Sequence, residues 1–222
     1  MKKTITNYLN LRILYFSFIL VFIGIGWGLS FSISKIVVSS NDHPVSILFY
    51  QNIISFVFLG IFYFFNFKKL KITSQIFNFF FLISISGVVI PGTLFYIAAS
   101  KVPAGILSLS VAFVPMLTYV SSLYLKIETF SLLRISGVFL GFIAIFLLIG
   151  PPDSFADRSM VPWVLLAMIC PICYTFENVF IDIKKPMEVN SITLAFGSSA
   201  ITILILLPII FYFELFIDIK YP

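Results

Sequence analysis

Seven apolar runs, each about as long as a bilayer is thick, constrain this chain more than any motif does. They cover roughly Ile13–Val37, Val45–Phe65, Ile76–Ser100, Ala104–Leu125, Leu132–Ile149, Val161–Ile181 and Ile192–Phe216. A helix needs about 20 apolar residues to cross the hydrocarbon core, and each run approaches or exceeds that. No run alternates polar and apolar residues for long, as a membrane β-barrel strand must. The expected fold is all-α: a polytopic transmembrane helical bundle of about seven spans. Composition agrees, with 60% hydrophobic and 10% charged residues in 222. A soluble domain of this size could not bury so much apolar surface. The first run is too long for the apolar part of a signal peptide, and no small-x-small cleavage site follows it.

The net charge of +5 reads as a topology signal. With the N-terminus inside, Lys2, Lys3, Arg12, Lys68, Lys69, Lys71, Lys126, Arg134, Lys184 and Lys185 fall on the inner side. Lys35, Lys101, Arg158 and Lys220 fall outside. The positive-inside rule then places the N-terminus in the cytoplasm of a multi-pass plasma (inner) membrane protein. Contact with anionic headgroups is a secondary effect, and nucleic acid is not an expected partner.

The connections are short except PPDSFADRSM, between the fifth and sixth runs. Gly150, Pro151 and Pro152 punctuate its start. The expected division is 1–150, a five-span block, and 151–222, a two-span block. WGLSF (Trp27–Phe31) weakly echoes CPICY (Cys170–Tyr174), and a polar residue follows four positions later in each, Lys35 or Asn178. Because five spans is an odd number, a repeat would enter the membrane from the opposite side. Such inverted repeats are a common transporter architecture; here the first is complete and the second partial.

Polar groups recur at bilayer depth. Ser108, Ala112, Pro115, Tyr119 and Ser122 share one helical face, and Pro115 frees the carbonyl of Val111. Lipid cannot satisfy such a stripe. It serves either helix packing, with hydroxyls bonded back to the backbone, or a cavity wall. Trp27, Ser30 and Ser34 on the first run, Gln51, Asn52 and Ser55 on the second, Thr93 and Tyr96 on the third, and Tyr174 and Glu177 on the sixth add to the second reading. Prolines 91, 115, 171 and 208 are expected to break four spans. Together these features suggest one shared, hydrated cavity. Two GxxxG pairs, Gly24/Gly28 and Gly137/Gly141, point to close packing or oligomer contacts. Glu177 is either a functional intramembrane carboxylate, including a proton carrier, or an interfacial side chain paired with Lys184 or Lys185. Lys35 either snorkels or binds solute.

Enzyme chemistry finds little footing. His43 is the single histidine, so multi-histidine metal sites are excluded and few general bases remain. CPIC matches C-x-x-C only formally, because it lies mid-span with no strand nearby. No cofactor or metal is expected.

In this setting the ordered residues Trp27, Gly28, Phe31 and Lys35, then Ala98, Ala104, Gly105 and Pro115, then Glu128 and Gly137 become informative. The chain resembles the EamA-type members of the drug/metabolite transporter superfamily. The resemblance implies a ten-span fold of two inverted five-helix repeats around a central cavity. It also implies alternating access, with amino acids, other metabolites or drugs as solutes and often proton coupling. Two departures matter. Where the family commonly carries an Arg seven residues after a proline in span two, this chain has Gln51. A neutral amide can hydrogen-bond a solute but cannot neutralise its carboxylate. The chain also ends after span seven, which is expected to reflect a truncated gene product or partial record of a ten-span protein.

The expected function is transport of small polar metabolites (amino acid or drug-like solutes) by alternating access. The substrate-binding residues would be Trp27, Ser30, Gln51, Tyr96, Ser108, Tyr119, Tyr174 and Glu177. The expected partners are a small-molecule solute, the lipid bilayer and, if the chain folds alone, a homodimer mate that closes the cavity. The alternative is a non-transporting remnant or accessory membrane subunit.

Overall fold

The computed structural model describes residues 2–39, 43–66, 71–149 and 158–216. Its helices are α1 (Lys2–Val38), α2 (Pro44–Asn66), α3 (Ser74–Lys101), α4 (Ala104–Tyr124), α5 (Leu132–Ile149), α6 (Val161–Lys184) and α7 (Ser191–Tyr212). All but α5 are long and apolar enough to cross a membrane by the described residues alone, and the described part of α5 is apolar but shorter. The chain is thus an all-helical, multi-pass membrane bundle. The boundary expected after Gly150, with Pro151 and Pro152, lies outside the described residues, as do Lys68, Lys69 and Lys220.

Prolines fix where the helices yield. Pro91 cannot donate to the carbonyl four residues back, and the turn before it, Ile85–Val89, widens into a π-helix in which the Ile90 N–H reaches the Ile85 carbonyl. In α4 the helix ends at Val111 and restarts at Phe113, two residues before Pro115. In α6 it ends at Ala167 and restarts at Ile169, just ahead of Pro171. The fourth expected break is absent: α7 runs unbroken through Pro208. One lost hydrogen bond there is outweighed by the buried contacts of Leu206 and Ile210 on either side. The short connections are capped, Thr73 accepting from the Ile76 N–H and Asn190 from the Thr193 N–H.

Consecutive helices run antiparallel. The C-terminal ends of α1, α3 and α7 (Val38, Ala99, Val102, Ile210) meet the N-terminal ends of α2, α4 and α6 (Ile47, Leu48, Leu107, Val164) in one buried cluster. A second cluster, Ile76, Phe79, Phe80, Ile83, Val189 and Ile201, lies toward the other end. α3 is the hub, touching α1, α2, α4, α6 and α7. The two later helices dock on the earlier ones: α7 lies along α2 and the first half of α3, and α6 along α3 and α4.

Lipid gives no hydrophobic reason for helices to associate, so small residues must let them approach. Here large side chains from one helix fill glycine notches on another. A Cβ at Gly60 of α2 would lie 3.2 Å from the Phe196 ring of α7, whose ring stacks between Phe56 (4.7 Å) and Tyr63 (4.8 Å). Gly197 receives Phe80, Gly92 receives Leu48, and Gly141 receives Met116. Of the two GxxxG pairs, Gly141 therefore packs within the chain, whereas among the described residues nothing from another helix comes within 4 Å of a Cβ position at Gly24, Gly28 or Gly137.

Candidate functional site: two adjoining cavities between the helices

The polar residues of the spans do not scatter. Residues from α1, α2, α3, α4 and α6 surround two cavities. The first, about 370 Å³, is bordered by Trp27, Ser30 and Ser34 of α1, Gln51, Asn52 and Ser55 of α2, Gly87, Gly92 and Tyr96 of α3, and Tyr174 of α6. The second, about 550 Å³, is bordered by Ser108, Ala112 and Pro115 of α4 and by Tyr174, Glu177 and Asn178 of α6. Trp27, Phe31, Val111 and Tyr174 line both, so the two chambers share walls. Helical spacing explains the lining. Trp27, Ser30 and Ser34 recur at three and four, as do Tyr174, Glu177 and Asn178. The breaks contribute too, since Gly87 and Val88 belong to the π-turn and Ala112 is the interruption of α4.

Across the first chamber the Tyr96 hydroxyl donates to Gln51 Oε1 at 2.8 Å. The Gln51 amide nitrogen remains available to the cavity. Asn52 is buried and donates to the Leu48 carbonyl at 2.8 Å. Ser30 and Ser108 line the cavities yet turn their hydroxyls back on their own helices, to the Trp27 carbonyl at 2.6 Å and the Gly105 carbonyl at 2.7 Å. The packing and cavity readings of these serines thus hold together, because a hydroxyl that donates backward still offers lone pairs forward.

Glu177 occupies the most unusual position. α6 continues to Lys184, so Glu177 lies seven residues, roughly 10 Å, inside the helix end. Among the described residues it forms no ion pair, with Lys184, Lys185 or any other cation; the one ion pair there joins Arg134 to Glu128. Its carboxyl instead fills the notch left by Gly87. A Cβ there would come within 2.0 Å of the carboxyl carbon and 2.2 and 2.3 Å of its oxygens. Glu177 borders the larger chamber while touching a residue of the smaller one.

Seven of the eight expected site residues, Trp27, Ser30, Gln51, Tyr96, Ser108, Tyr174 and Glu177, border one or both chambers. Tyr119 borders neither. It is on the expected face of α4 but eleven residues beyond Ser108, roughly 16 Å along the axis. Its hydroxyl receives the Ser131 N–H at 2.9 Å, and its ring lies under the Arg134 guanidinium at 5.7 Å, which ties α4 to the start of α5. Lys35 lines neither chamber: its ammonium donates to the Ala99 carbonyl at 2.7 Å, joining α1 to α3. Both cysteines are free, and buried Cys170 directs its thiol at the Pro91 carbonyl, 3.3 Å away. Sequence reasoning missed Gly87 and Phe31. A glycine four residues ahead of Pro91 was the available signal for the first.

Proline-broken helices around a shared chamber are an architecture that many membrane solute carriers use. Within that class the chain belongs to the EamA-like transporter family, which residues 13–150, more than half of its length, match. The members are membrane transporters of the drug/metabolite type. No curated protein and no solved structure matches the chain.

Proposed function

We propose that the adjoining chambers are the solute site of a carrier that moves small polar metabolites, amino acid or drug-like, by alternating access. One observation carries this reading: five helices bring polar side chains to two chambers that share Trp27, Phe31, Val111 and Tyr174. Combined, the chambers have room for a molecule of amino-acid size. The π-turn and the α4 interruption sit in their walls, where a change of helix angle would alter access most directly. The inverted-repeat relation also finds support. Phe31 and Tyr174 are equivalent in the weak internal echo, and both border both chambers. An N-terminus in the cytoplasm of the plasma membrane completes the reading, and a second copy could pack on the open Gly24–Gly28 face.

The test is flux. Purified chain in sealed vesicles, preloaded with mixed amino acids and amines, is expected to release specific solutes faster than empty vesicles. Release indistinguishable from empty vesicles, with the protein folded and inserted, would reject transport by this chain.

A further inference from the structure

We infer that an anionic phospholipid occupies the furrow between the second half of α4 and α6, with one acyl chain in the furrow and its phosphate held by Lys126 and Lys184. The site is separate from the two chambers and does not rest on the transport reading.

The furrow has a volume of about 370 Å³. Thr175 and Val179 form its buried floor, and Ile172, Phe176, Ile183 and Leu125 are its half-exposed walls. Ile172 and Ile183 are eleven residues apart, so the furrow runs roughly 16 Å along α6. It is long, apolar and open at the side of the bundle. An acyl chain matches that shape and polarity, whereas a compact polar solute does not.

One end of the furrow is basic. Leu125 is followed directly by Lys126, and Ile183 by Lys184 and Lys185. Because α4 and α6 are alternate members of an antiparallel series, they run parallel, and these lysines stand at the same mouth. None of the three forms an ion pair among the described residues. Of the acidic groups at this end, Glu128 is engaged by Arg134. Asp182 lies on the side of α6 away from the furrow residues, and Glu188 lies beyond the helix, in the connection to α7. Helix C-termini favour lysine in any case. Here two such termini flank an apolar slot, and basic side chains between spans are the arrangement that holds an anionic headgroup.

Lys126 is fixed as well as placed. Its backbone is left-handed, with φ 59°, in the turn that closes α4, where the Ile127 and Glu128 N–H groups both reach the Ser122 carbonyl. Glycine is the usual residue at such a turn, so lysine is kept there against its backbone preference. Ser121 borders the furrow roughly 6 Å inside Leu125. Its hydroxyl has no hydrogen bond among the described residues and can donate to a lipid ester carbonyl.

The test titrates full-length chain in detergent with dioleoylphosphatidylglycerol or dioleoylphosphatidylcholine and counts retained lipid by native mass spectrometry. One phosphatidylglycerol per chain is expected, held at least about fivefold more tightly than phosphatidylcholine. Lys126→Gly combined with Lys184→Gln should abolish the preference, and because glycine suits the turn the variant should fold as well as the parent. Ser121→Leu fills the slot without changing charge and should lower affinity for both lipids. Lys71→Gln, ahead of α3 and next to no furrow residue, should leave the preference intact. Glycerol 3-phosphate, a headgroup without chains, should not displace the lipid. Equal retention of the two lipids, an unchanged preference in the folded double variant, unchanged affinity in folded Ser121→Leu, an equal loss in Lys71→Gln, or displacement by glycerol 3-phosphate would each overturn the inference. Lipid retention and flux are read separately. Selective retention by a chain that moves no solute refutes transport and leaves the lipid site, and flux without lipid preference does the reverse.

Discussion

Glu177 of α6 and Gly87 of α3 fit each other as a side chain fits a notch: a methyl group on Gly87 would lie 2.0 Å from the Glu177 carboxyl carbon. The other notches hold Phe, Leu or Met; this one holds a carboxyl group. Gly87→Ala is compatible with the local backbone, so the mobile carboxyl must yield. The substitution should lower the temperature at which detergent-solubilised protein loses its monodisperse peak, and Glu177→Ala should suppress most of that loss. The expected coupling is on the order of 1 kcal/mol. Strict additivity of the two substitutions would mean that the contact is not made.

The ring of Phe196 lies between those of Phe56 and Tyr63, nearly parallel to both, over Gly60. Phe196→Ala empties that slot at the α2–α7 interface. A loss of about 3 kcal/mol is expected from comparable truncations, read as reduced yield and thermal stability. Phe196→Leu should recover part of it. Stability equal to the parent in both variants would show that α7 does not depend on this stack.

Tyr96→Phe deletes the hydroxyl that donates to Gln51. Because Gln51 is exposed to the chamber, its carbonyl can take water instead, and the net cost to folding should be about 1 kcal/mol or less. The larger effect should fall on solute affinity, seen as a changed KM for flux at unchanged yield. Collapse of folding with this one atom removed would assign the bond to structure rather than to the chamber.

Cys170 is fully buried and its thiol faces the Pro91 carbonyl, whereas Cys173 is partly exposed. A membrane-permeant maleimide should therefore modify Cys173 well before Cys170, as mass spectrometry of the peptides can resolve. Faster labelling of Cys170 would contradict the packing of α6 against α3.

The bundle was legible from the sequence because lipid imposes a simple rule: long apolar runs must be helices. Three of the four proline breaks followed from the missing N–H, and Pro208 did not because flanking packing holds α7 straight. The chamber residues were legible from the cost of polar groups in oil, which placed Gln51, Tyr96 and Glu177 inward. What stayed hidden depended on partners from other helices. Nothing in the first run says that Lys35 meets the Ala99 carbonyl, and nothing near Gly87 says that a carboxylate from α6 will fill it. Tyr119 shows a different limit. Helical periodicity reports the face of a residue but not its depth, and roughly 16 Å separates it from Ser108 along one face.

Water access to the chambers tests the central claim most directly. Single cysteines at Gln51 and Ser108, in a background lacking Cys170 and Cys173, can be exposed to a membrane-impermeant thiol reagent in intact vesicles. Ile54, 70% exposed on α2 and bordering neither chamber, serves as the lipid-facing control. Both chamber positions should label, and more slowly when a transported solute is present, while Ile54 stays unlabelled. If Gln51 and Ser108 remain as unreactive as Ile54 in every condition, the interior is dry and the bundle holds no solute path.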